Sequence, residues 1–187
     1  ATNVEVLNNY GVKKVLTTCP HCLHTIKREY PQFEGNFEVV HHTELIDQLI
    51  AEGKLDLKDD GEKHSLALHD SCYLGRYHDI YEAPRNVVNA VPGMELIELP
   101  RNKSRSVCCG AGGGRFWMEE HIGERINVHR SQEIAETNST VVGSNCPFCL
   151  TMISDGMKAV GKEEVETLDI AEIVARKLEG SGAEAAS

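Results

Sequence analysis

Hydrophobic and polar positions follow two different periods along the chain, and these periods predict strands and helices in alternation. Short β-branched or apolar runs predict strands at residues 13–18, 37–42, 65–72, 94–100, 139–145 and 164–168. Segments with helical spacing follow at residues 22–30, 43–53, 83–93, 115–138, 149–161 and 169–180. This alternation predicts an α/β fold, namely a parallel sheet with helices on both faces.

Two of the predicted helices carry more specific signals. Thr43 is the predicted N-terminal cap of helix 43–53, and Gly53 is its predicted stop. The predicted helix 115–138 is the longest, and steps of four residues connect three of its apolar side chains. These side chains are Met118, Ile122 and Ile126.

An internal repeat organises the chain. Residues 15–23, VLTTCPHCL, recur 127 positions later as residues 142–150, VGSNCPFCL. The helices that follow, 43–53 and 168–180, align at an offset of 125. Each copy therefore consists of a strand, a Cys-Pro-x-Cys motif, a helix, a second strand and a second helix.

The two copies differ in what precedes them. Three further cysteines lie upstream of the second copy, whereas only 18 residues precede Cys19 in the first. We therefore expect the chain to be the C-terminal part of a longer protein, cut within its first repeat; a natural half repeat is the alternative. The predicted organisation is a first half repeat, a polar linker, a complete repeat and a disordered tail, at residues 1–58, 59–65, 66–180 and 181–187.

Composition and charge exclude several classes of partner. The formal net charge of −10 argues against a nucleic acid or an anionic membrane surface as partner. Hydrophobic residues make up 41% of the chain, yet no apolar run approaches the roughly 18 residues of a membrane span. No signal segment is recognisable either. We expect a soluble cytoplasmic chain without a membrane span, able to belong to a membrane-bound assembly.

The cysteines carry the candidate chemistry. Their number is odd, so disulfides alone would leave one thiol over, and in the reducing cytosol such clusters serve metal binding or redox chemistry. The seven are Cys19, Cys22, Cys72, Cys108, Cys109, Cys146 and Cys149. Three of them, Cys19, Cys72 and Cys146, lie where predicted strands end, and the carboxyl ends of parallel strands share one sheet edge. Distant cysteines are thus predicted to converge there.

Five thiols in the pattern C-(35)-CC-(36)-C-x-x-C exceed what a single metal ion needs. Zinc and ordinary iron–sulfur clusters each take four, so the fifth sulfur could bridge two irons or stay a free thiol. The adjacent histidines His41 and His42 are interpreted as an exposed strand end rather than a metal site.

A glycine-rich loop, GAGGG at residues 110–114, follows the Cys108–Cys109 pair. Its backbone N–H groups could form a concave anion site, so Gly110, Gly112 and Gly113 are predicted to contact the bound group, and side chains added at Gly112 or Gly113 are expected to crowd it. Arg115 is the basic residue predicted to face this site, whereas Lys103 and Arg105 are interpreted as solvated charges. A nucleotide phosphate is a weaker alternative, because the loop does not match G-x-G-x-x-G.

The stretches HDSCYLGRY, SVCCGAGGGRFWMEE and NCPFCLTMI together resemble the CCG domain of the heterodisulfide reductase family, in particular its B-type subunits. The glycine loop is most similar to that of quinone reductases linked to electron-transfer flavoprotein. The resemblance implies that a [4Fe-4S] cluster, non-cubane in heterodisulfide reductase, is bound by five cysteines. These are Cys72, Cys108, Cys109, Cys146 and Cys149.

The resemblance also covers the first half repeat. Cys19 and Cys22 match a closing C-x-x-C that holds a second cluster in some members and zinc in others, and here that site is expected to be incomplete. No acid–base catalyst is assigned from the sequence. His69 and Asp70 are interpreted as structural hydrogen-bonding residues at a strand end, and cluster tuning or proton movement is the alternative role.

The expected function is an iron–sulfur oxidoreductase domain that is not active alone. It would relay electrons from a flavoprotein to a membrane partner that reduces quinone, which places the chain at the membrane periphery. A structural zinc module is one alternative, although it leaves the glycine loop unexplained. A thiol–disulfide oxidoreductase is another, suggested by the thioredoxin-like CPHC motif, but it leaves the five-cysteine set unexplained.

Overall fold

The structure, a computed structural model, describes residues 1–178. Eight α-helices lie in this range: α1 Thr2–Asn9, α2 Pro20–His24, α3 His42–Ala51, α4 Cys72–His78, α5 Glu82–Ala90, α6 Ile126–Ala135, α7 Pro147–Ala159 and α8 Ile170–Ala175. Six strands alternate with them: β1 Lys14–Thr17, β2 Glu38–His41, β3 His64–Leu68, β4 Met94–Ile97, β5 Val141–Ser144 and β6 Glu166–Asp169. The predicted tail at 181–187 lies outside the described residues.

Every strand pair in the described part of the chain is parallel, which confirms the predicted fold class. The larger sheet has the order β4-β3-β5-β6, with Leu66 opposite Val141 and Val141 opposite Glu166. Strands β1 and β2 pair only with each other in a second, two-stranded sheet. The two repeats therefore do not share one continuous sheet.

The larger sheet is covered on both faces, as predicted. Leu66 and Leu68 of β3 pack with Val87 and Val88 of α5 and with residues of α8 and α3. Ala67, between those two leucines, belongs to the opposite core, which α6 and α7 cover. Successive residues of a strand point to opposite faces of the sheet, so a strand that is covered on both faces needs apolar residues in succession. Residues 66–68 of β3 meet this requirement, since all three are apolar.

Helix caps fix the register of the internal repeat. His41 caps α3: its Nδ1 accepts a hydrogen bond from the Thr43 backbone N–H, and Glu44 accepts one from the His41 N–H. Asp169 caps α8 in the same way, with Glu172 in the role of Glu44. The prediction of Thr43 as the cap was therefore wrong. The caps lie 128 positions apart, so the offset of 125 was also wrong.

The His41–His42 pair is not an exposed strand end. Both side chains are buried, at 0% and 4% exposure, and burial lowers the pKa of His41 to about 3. His42 Nε2 lies 2.8 Å from the carboxylate of Asp169. This contact joins the start of α3 to the capping residue of α8, so the pair connects the two repeats.

The predicted helix 115–138 is interrupted. Only Ile126–Ala135 is α-helical, after a short 3₁₀ turn at Arg115–Trp117. Gly123 adopts a left-handed φ of 70°, which ends any helix there, and Ile122 is 95% exposed. The apolar spacing of residues 118–126 therefore had no core surface to face.

Two further boundaries differ from the sequence analysis. The strand predicted at 65–72 ends at Leu68, and Cys72 is instead the first residue of α4. Next to the predicted linker, the Lys58 N–H donates to the Lys177 carbonyl at 2.7 Å, so this part of the chain contacts the end of the second repeat. Among residues 1–178, no helix combines the length and the apolar character that a bilayer crossing requires.

We predict that Asp169→Ala destabilises the fold more than Asp169→Asn. Alanine removes both the cap of α8 and the partner of His42, whereas asparagine keeps a capping oxygen. Loss of such a cap costs about 1 kcal/mol, and the loss of the His42 partner adds to it. Urea unfolding followed by circular dichroism measures both variants; an equal loss in the two would mean that the charge of Asp169, not its cap, supplies the stability.

Candidate metal centre

The five cysteines of the C-(35)-CC-(36)-C-x-x-C pattern lie around one cavity at the carboxyl edge of the larger sheet. Six further residues complete the lining: Pro20, His21, Ser71, Tyr73, Ala111 and Gly112. The cysteines arrive from three segments that follow β3, β4 and β5. The structure thus brings the predicted ligands together; that they bind a metal stays a prediction.

Helix starts position three of these thiols. Cys72 is the first residue of α4, Cys146 is the N-terminal cap of α7, and Cys149 lies in the first turn of α7. The unpaired N–H groups at a helix start favour negative charge, so they would stabilise these sulfurs once a bound metal has deprotonated them. The Ser71 hydroxyl donates to the Asn145 side chain, which links the residues that precede Cys72 and Cys146.

The glycine-rich loop supplies backbone donors to the other two thiols. The Gly110 N–H donates to Cys108 Sγ at 3.3 Å, and the Ala111 N–H donates to Cys109. Gly110 adopts a φ of 90°, a conformation that side chains disfavour. A Cβ there would lie 3.2 Å from the Cβ of Ile126.

The rest of the loop packs less closely against the protein than Gly110 does. A Cβ at Gly112 or Gly113 would meet no protein atom within 4 Å, so the expected crowding at these positions concerns the bound group alone and stays a prediction. Gly112 lines the cavity, but Gly113 is not among the lining residues. The tight position in the loop is Gly110.

Arg115 has another partner. Its half-exposed guanidinium forms an ion pair with Glu120, and it does not line the cavity. Lys103 pairs with Glu82 at the surface, in line with its interpretation as a solvated charge. A role for Arg115 toward the bound group stays a prediction.

Crowding of the thiols sets their ionisation. Hydrogen bonds from Cys149 and Cys19 lower the pKa of Cys146 to about 4, and hydrogen bonds from Cys109 and Cys72 lower the pKa of Cys108. The pKa values of the donating thiols are raised instead. The hydrogen bond to Cys108 raises the pKa of Cys109 to about 12, and hydrogen bonds to neighbouring sulfurs raise the pKa values of Cys72 and Cys149.

Close contact explains this division. Cys149 Sγ lies 3.3 Å from Cys109 Sγ, and neighbouring sulfurs so close cannot all be anionic without a cation between them. A metal that deprotonates all five would remove the repulsion, because bound cations invert the local pKa relations. The donor set therefore fits a cationic metal or cluster that prefers sulfur.

The first repeat reaches this site. The thiol of Cys19 is buried and hydrogen-bonds to Cys146, which raises the pKa of Cys19 to about 11. Cys22 is exposed. Cys19 and Cys22 were expected to form a separate incomplete site, and the contact of Cys19 with Cys146 was not predicted.

Aromatic residues of both repeats meet above the cavity. The rings of His21 and Tyr73 pack with centroids 4.0 Å apart, and Phe148 contacts His21 edge-on at 5.6 Å. Sequence reasoning missed His21 and Phe148, although each is the variable residue of its Cys-Pro-x-Cys motif. That shared position between two cysteines was the only signal available.

A buried polar network holds the segments that carry the cysteines. Asp70 accepts two hydrogen bonds from Arg85, at 2.8 and 3.0 Å, and one from the Lys103 N–H at 2.7 Å. Arg130 is fully buried and donates to Ser106, two residues before Cys108, at 3.2 Å. These contacts agree with the interpretation of Asp70 as a structural hydrogen-bonding residue. Nothing in the sequence pattern indicated that Arg130 would be buried and would bind this segment.

His69 lies between this network and the thiols. Arg130 Nε donates to its Nδ1 at 3.2 Å, while its Nε2 is buried and has no hydrogen-bond partner among the described residues. A ring nitrogen of His69 and the sulfurs of Cys109 and Cys149 all lie within 4.8 Å of one another.

Comparison with known proteins finds a cysteine-rich family and several similar oxidoreductases. The cysteine-rich domain family, CCG, matches residues 1–27 and 66–154. The chain is 42% identical over 180 residues to the "Probable iron-sulfur-binding oxidoreductase FadF" of Bacillus subtilis, covering 96% of this chain and 25% of that protein. It is 46% identical over 186 residues to the "EtfAB:quinone oxidoreductase" of Syntrophomonas wolfei, covering 95% of this chain and 26% of that protein.

A methanogen protein is also similar. The chain is 36% identical over 179 residues to the D-type subunit of the "Dihydromethanophenazine:CoB--CoM heterodisulfide reductase" of Methanosarcina barkeri, covering 94% of this chain and 43% of that protein. The chain thus spans between a quarter and less than half of these relatives.

We predict that Gly110→Ala destabilises the protein even before a metal is bound, and that Gly112→Ala does not. Alanine at 110 must hold a φ of 90° against Ile126, at a cost of about 1–3 kcal/mol, and it displaces the donor to Cys108. Alanine at 112 meets no protein atom within 4 Å. Thermal unfolding of the metal-free proteins compares the two; equal behaviour would contradict the assignment of Gly110 as the tight position.

Proposed function

The chain belongs to the cysteine-rich domain family, CCG, and from this membership we propose that its five cysteines hold an iron–sulfur cluster that passes electrons. The observation that carries the proposal is the convergence of these five thiols on one cavity. Thiolates are soft ligands that select zinc or iron–sulfur clusters, and zinc needs only four. The named relatives, an iron-sulfur-binding oxidoreductase among them, support the cluster over zinc.

We propose a [4Fe-4S] cluster in a form more open than a cube. Its ligands are the five lining cysteines, Cys72, Cys108, Cys109, Cys146 and Cys149. A fifth thiolate has no place in an ordinary four-cysteine cluster, so these five cysteines would hold a form of the cluster that accepts all of them. When bound, such a cluster supplies one-electron transfer.

The surrounding residues have distinct roles in this proposal. The N–H groups of Gly110 and Ala111 donate to cysteine sulfur, and donors of this kind raise the potential of a cluster. His21 and Tyr73 cover the cavity with packed rings and limit the access of water. Exposed rings beside them, such as Tyr77 at 54% exposure, leave this face available to a redox partner.

The partners follow from the relatives and are also a proposal. One relative is named for electron transfer between EtfAB and quinone, and another belongs to a heterodisulfide reductase. We propose that this chain receives electrons from a flavoprotein and passes them to a quinone-reducing partner at the cytoplasmic side of a membrane. Residues 66–180 would form the complete repeat that holds the cluster, 59–65 the linker and 1–58 the preceding half repeat.

Serine at Cys108 or Cys109 should abolish or rearrange the cluster. We expect the brown protein purified without oxygen to lose its visible absorbance and its EPR signal, and to lose reduction by a flavoprotein, while the far-UV circular dichroism is kept. Cys22→Ser is the matched control, because Cys22 is an exposed cysteine of the other motif. An unchanged spectrum in Cys109→Ser, or zinc without iron in the wild type, would disprove the proposal.

The double variant Cys19→Ser, Cys22→Ser should keep its iron. Two thiols are too few for a metal site of their own, and zinc at this position would need ligands that the described residues of the first repeat do not offer. Iron, sulfide and zinc are measured per chain in the variant and the wild type. Loss of one tightly bound metal only in the variant would show that Cys19 and Cys22 form part of a second site.

A further inference from the structure

His69 is held firmly in place at the end of β3. Its backbone N–H donates to the Gly143 carbonyl of β5 at 2.9 Å, and its side chain is fully buried. The ring therefore has little freedom to turn. It lies three residues before Cys72, between two strands whose following segments both carry cysteines of the cavity.

The contact with Arg130 fixes which nitrogen of His69 carries the proton. Arginine has N–H donors and no acceptor, so His69 Nδ1 must be the acceptor of the 3.2 Å hydrogen bond from Arg130 Nε. In a neutral imidazole the other nitrogen, Nε2, then carries the hydrogen. The geometry alone assigns this tautomer.

Arg130 cannot easily release the ring. Its guanidinium also donates to the Glu133 carboxylate at 2.5 Å, to the Ser106 hydroxyl at 3.2 Å and to the Arg101 carbonyl at 3.1 Å. These contacts lie on α6 and on the loop before Cys108, so the orientation of the ring is coupled to the position of the cysteine pair.

The Nε2–H group has no acceptor among the described residues although it is buried. Buried N–H groups are nearly always paired, and one that is not calls for an explanation. The sulfurs of Cys109 and Cys149, within 4.8 Å of a ring nitrogen of His69, are the acceptors at hand. Both become thiolates when a metal is bound, and a thiolate accepts hydrogen bonds better than a thiol.

We propose that His69 donates a hydrogen bond from Nε2 to the metal-bound thiolate of Cys109 or Cys149, and so acts as a positioning residue that raises the potential of the site. The inference rests on the proposed function for its redox consequence. Direct ligation by His69 is disfavoured, because Nδ1 is engaged by Arg130 and Nε2 carries the hydrogen. Hydrogen bonds to cysteine sulfur raise the potential of an iron–sulfur cluster.

The first test does not depend on iron. The protein is labelled with ¹⁵N-histidine, loaded with ¹¹³Cd and studied by NMR. We expect a slowly exchanging Nε2–H of His69 with a small coupling to cadmium through the hydrogen bond. A direct ¹⁵N–¹¹³Cd bond coupling would make His69 a ligand, and a proton on Nδ1 would refute the tautomer; either result overturns the proposal, as does a failure of the thiols to bind cadmium.

The second test measures the redox consequence in protein that holds the cluster. His69→Leu should shift the midpoint potential to more negative values, and His69→Gln, which keeps a side-chain N–H donor, should restore part of that shift. His129→Gln, a half-exposed histidine on the same helix as Arg130, is the control and should shift nothing. Equal potentials in wild type and His69→Leu would overturn the tuning role.

The two tests separate the two proposals. Cadmium coupling without an assembled iron–sulfur cluster would keep the hydrogen bond and reject the proposed function. An assembled iron–sulfur cluster, together with no coupling between cadmium and His69, would keep the proposed function and reject the hydrogen bond. If both His69 variants fail to fold, the cadmium spectrum of the wild type still decides whether the hydrogen bond exists.

Discussion

Repulsion between crowded sulfurs is the constraint on which the rest of this structure depends. Cys109 and Cys149 are 3.3 Å apart, and Cys72, Cys108 and Cys146 complete the lining of the same cavity. Thiolates at this spacing are tolerable only where positive charge or N–H donors face them. The surroundings provide donors from the starts of α4 and α7 and from the backbone of residues 110–111.

A second constraint is that the segments carrying the thiols must not move apart. Two buried arginines meet this need from either side: Arg85 bonds Asp70 and Glu98, and Arg130 bonds Glu133 and His69. Buried ion pairs add little net stability, because the desolvation of both charges offsets their attraction. Their value here is geometric, since each arginine binds groups from two or three segments and so fixes the distances between them.

The sequence predicted those features that follow from the local spacing of apolar residues and from one rule of sheet topology. Strand and helix alternation predicted the parallel sheet, and the rule that carboxyl ends share an edge predicted that Cys72 and Cys146 would meet. Features set by long-range contacts were not predictable: His69 and Arg130 are 61 positions apart, and neither has a distinctive local pattern. The helix predicted across 115–138 shows the opposite error, because apolar spacing is meaningless where no core surface is available to receive it.

The two repeats are less separate than their sequences suggest. They do not share a sheet, yet the first contributes His21 above the cavity, the Cys19 thiol beside Cys146, and His42 against the cap of α8. The predicted linker at residues 59–65 therefore separates the two repeats in the sequence, but residues on both sides of it contribute to the same cavity. Because α2 carries His21 and follows Cys19 directly, a change at the first Cys-Pro-x-Cys motif alters the surroundings of the cavity cysteines. The repeat thus places two Cys-Pro-x-Cys motifs in contact, and the hydrogen bond between Cys19 and Cys146 is the direct link between them.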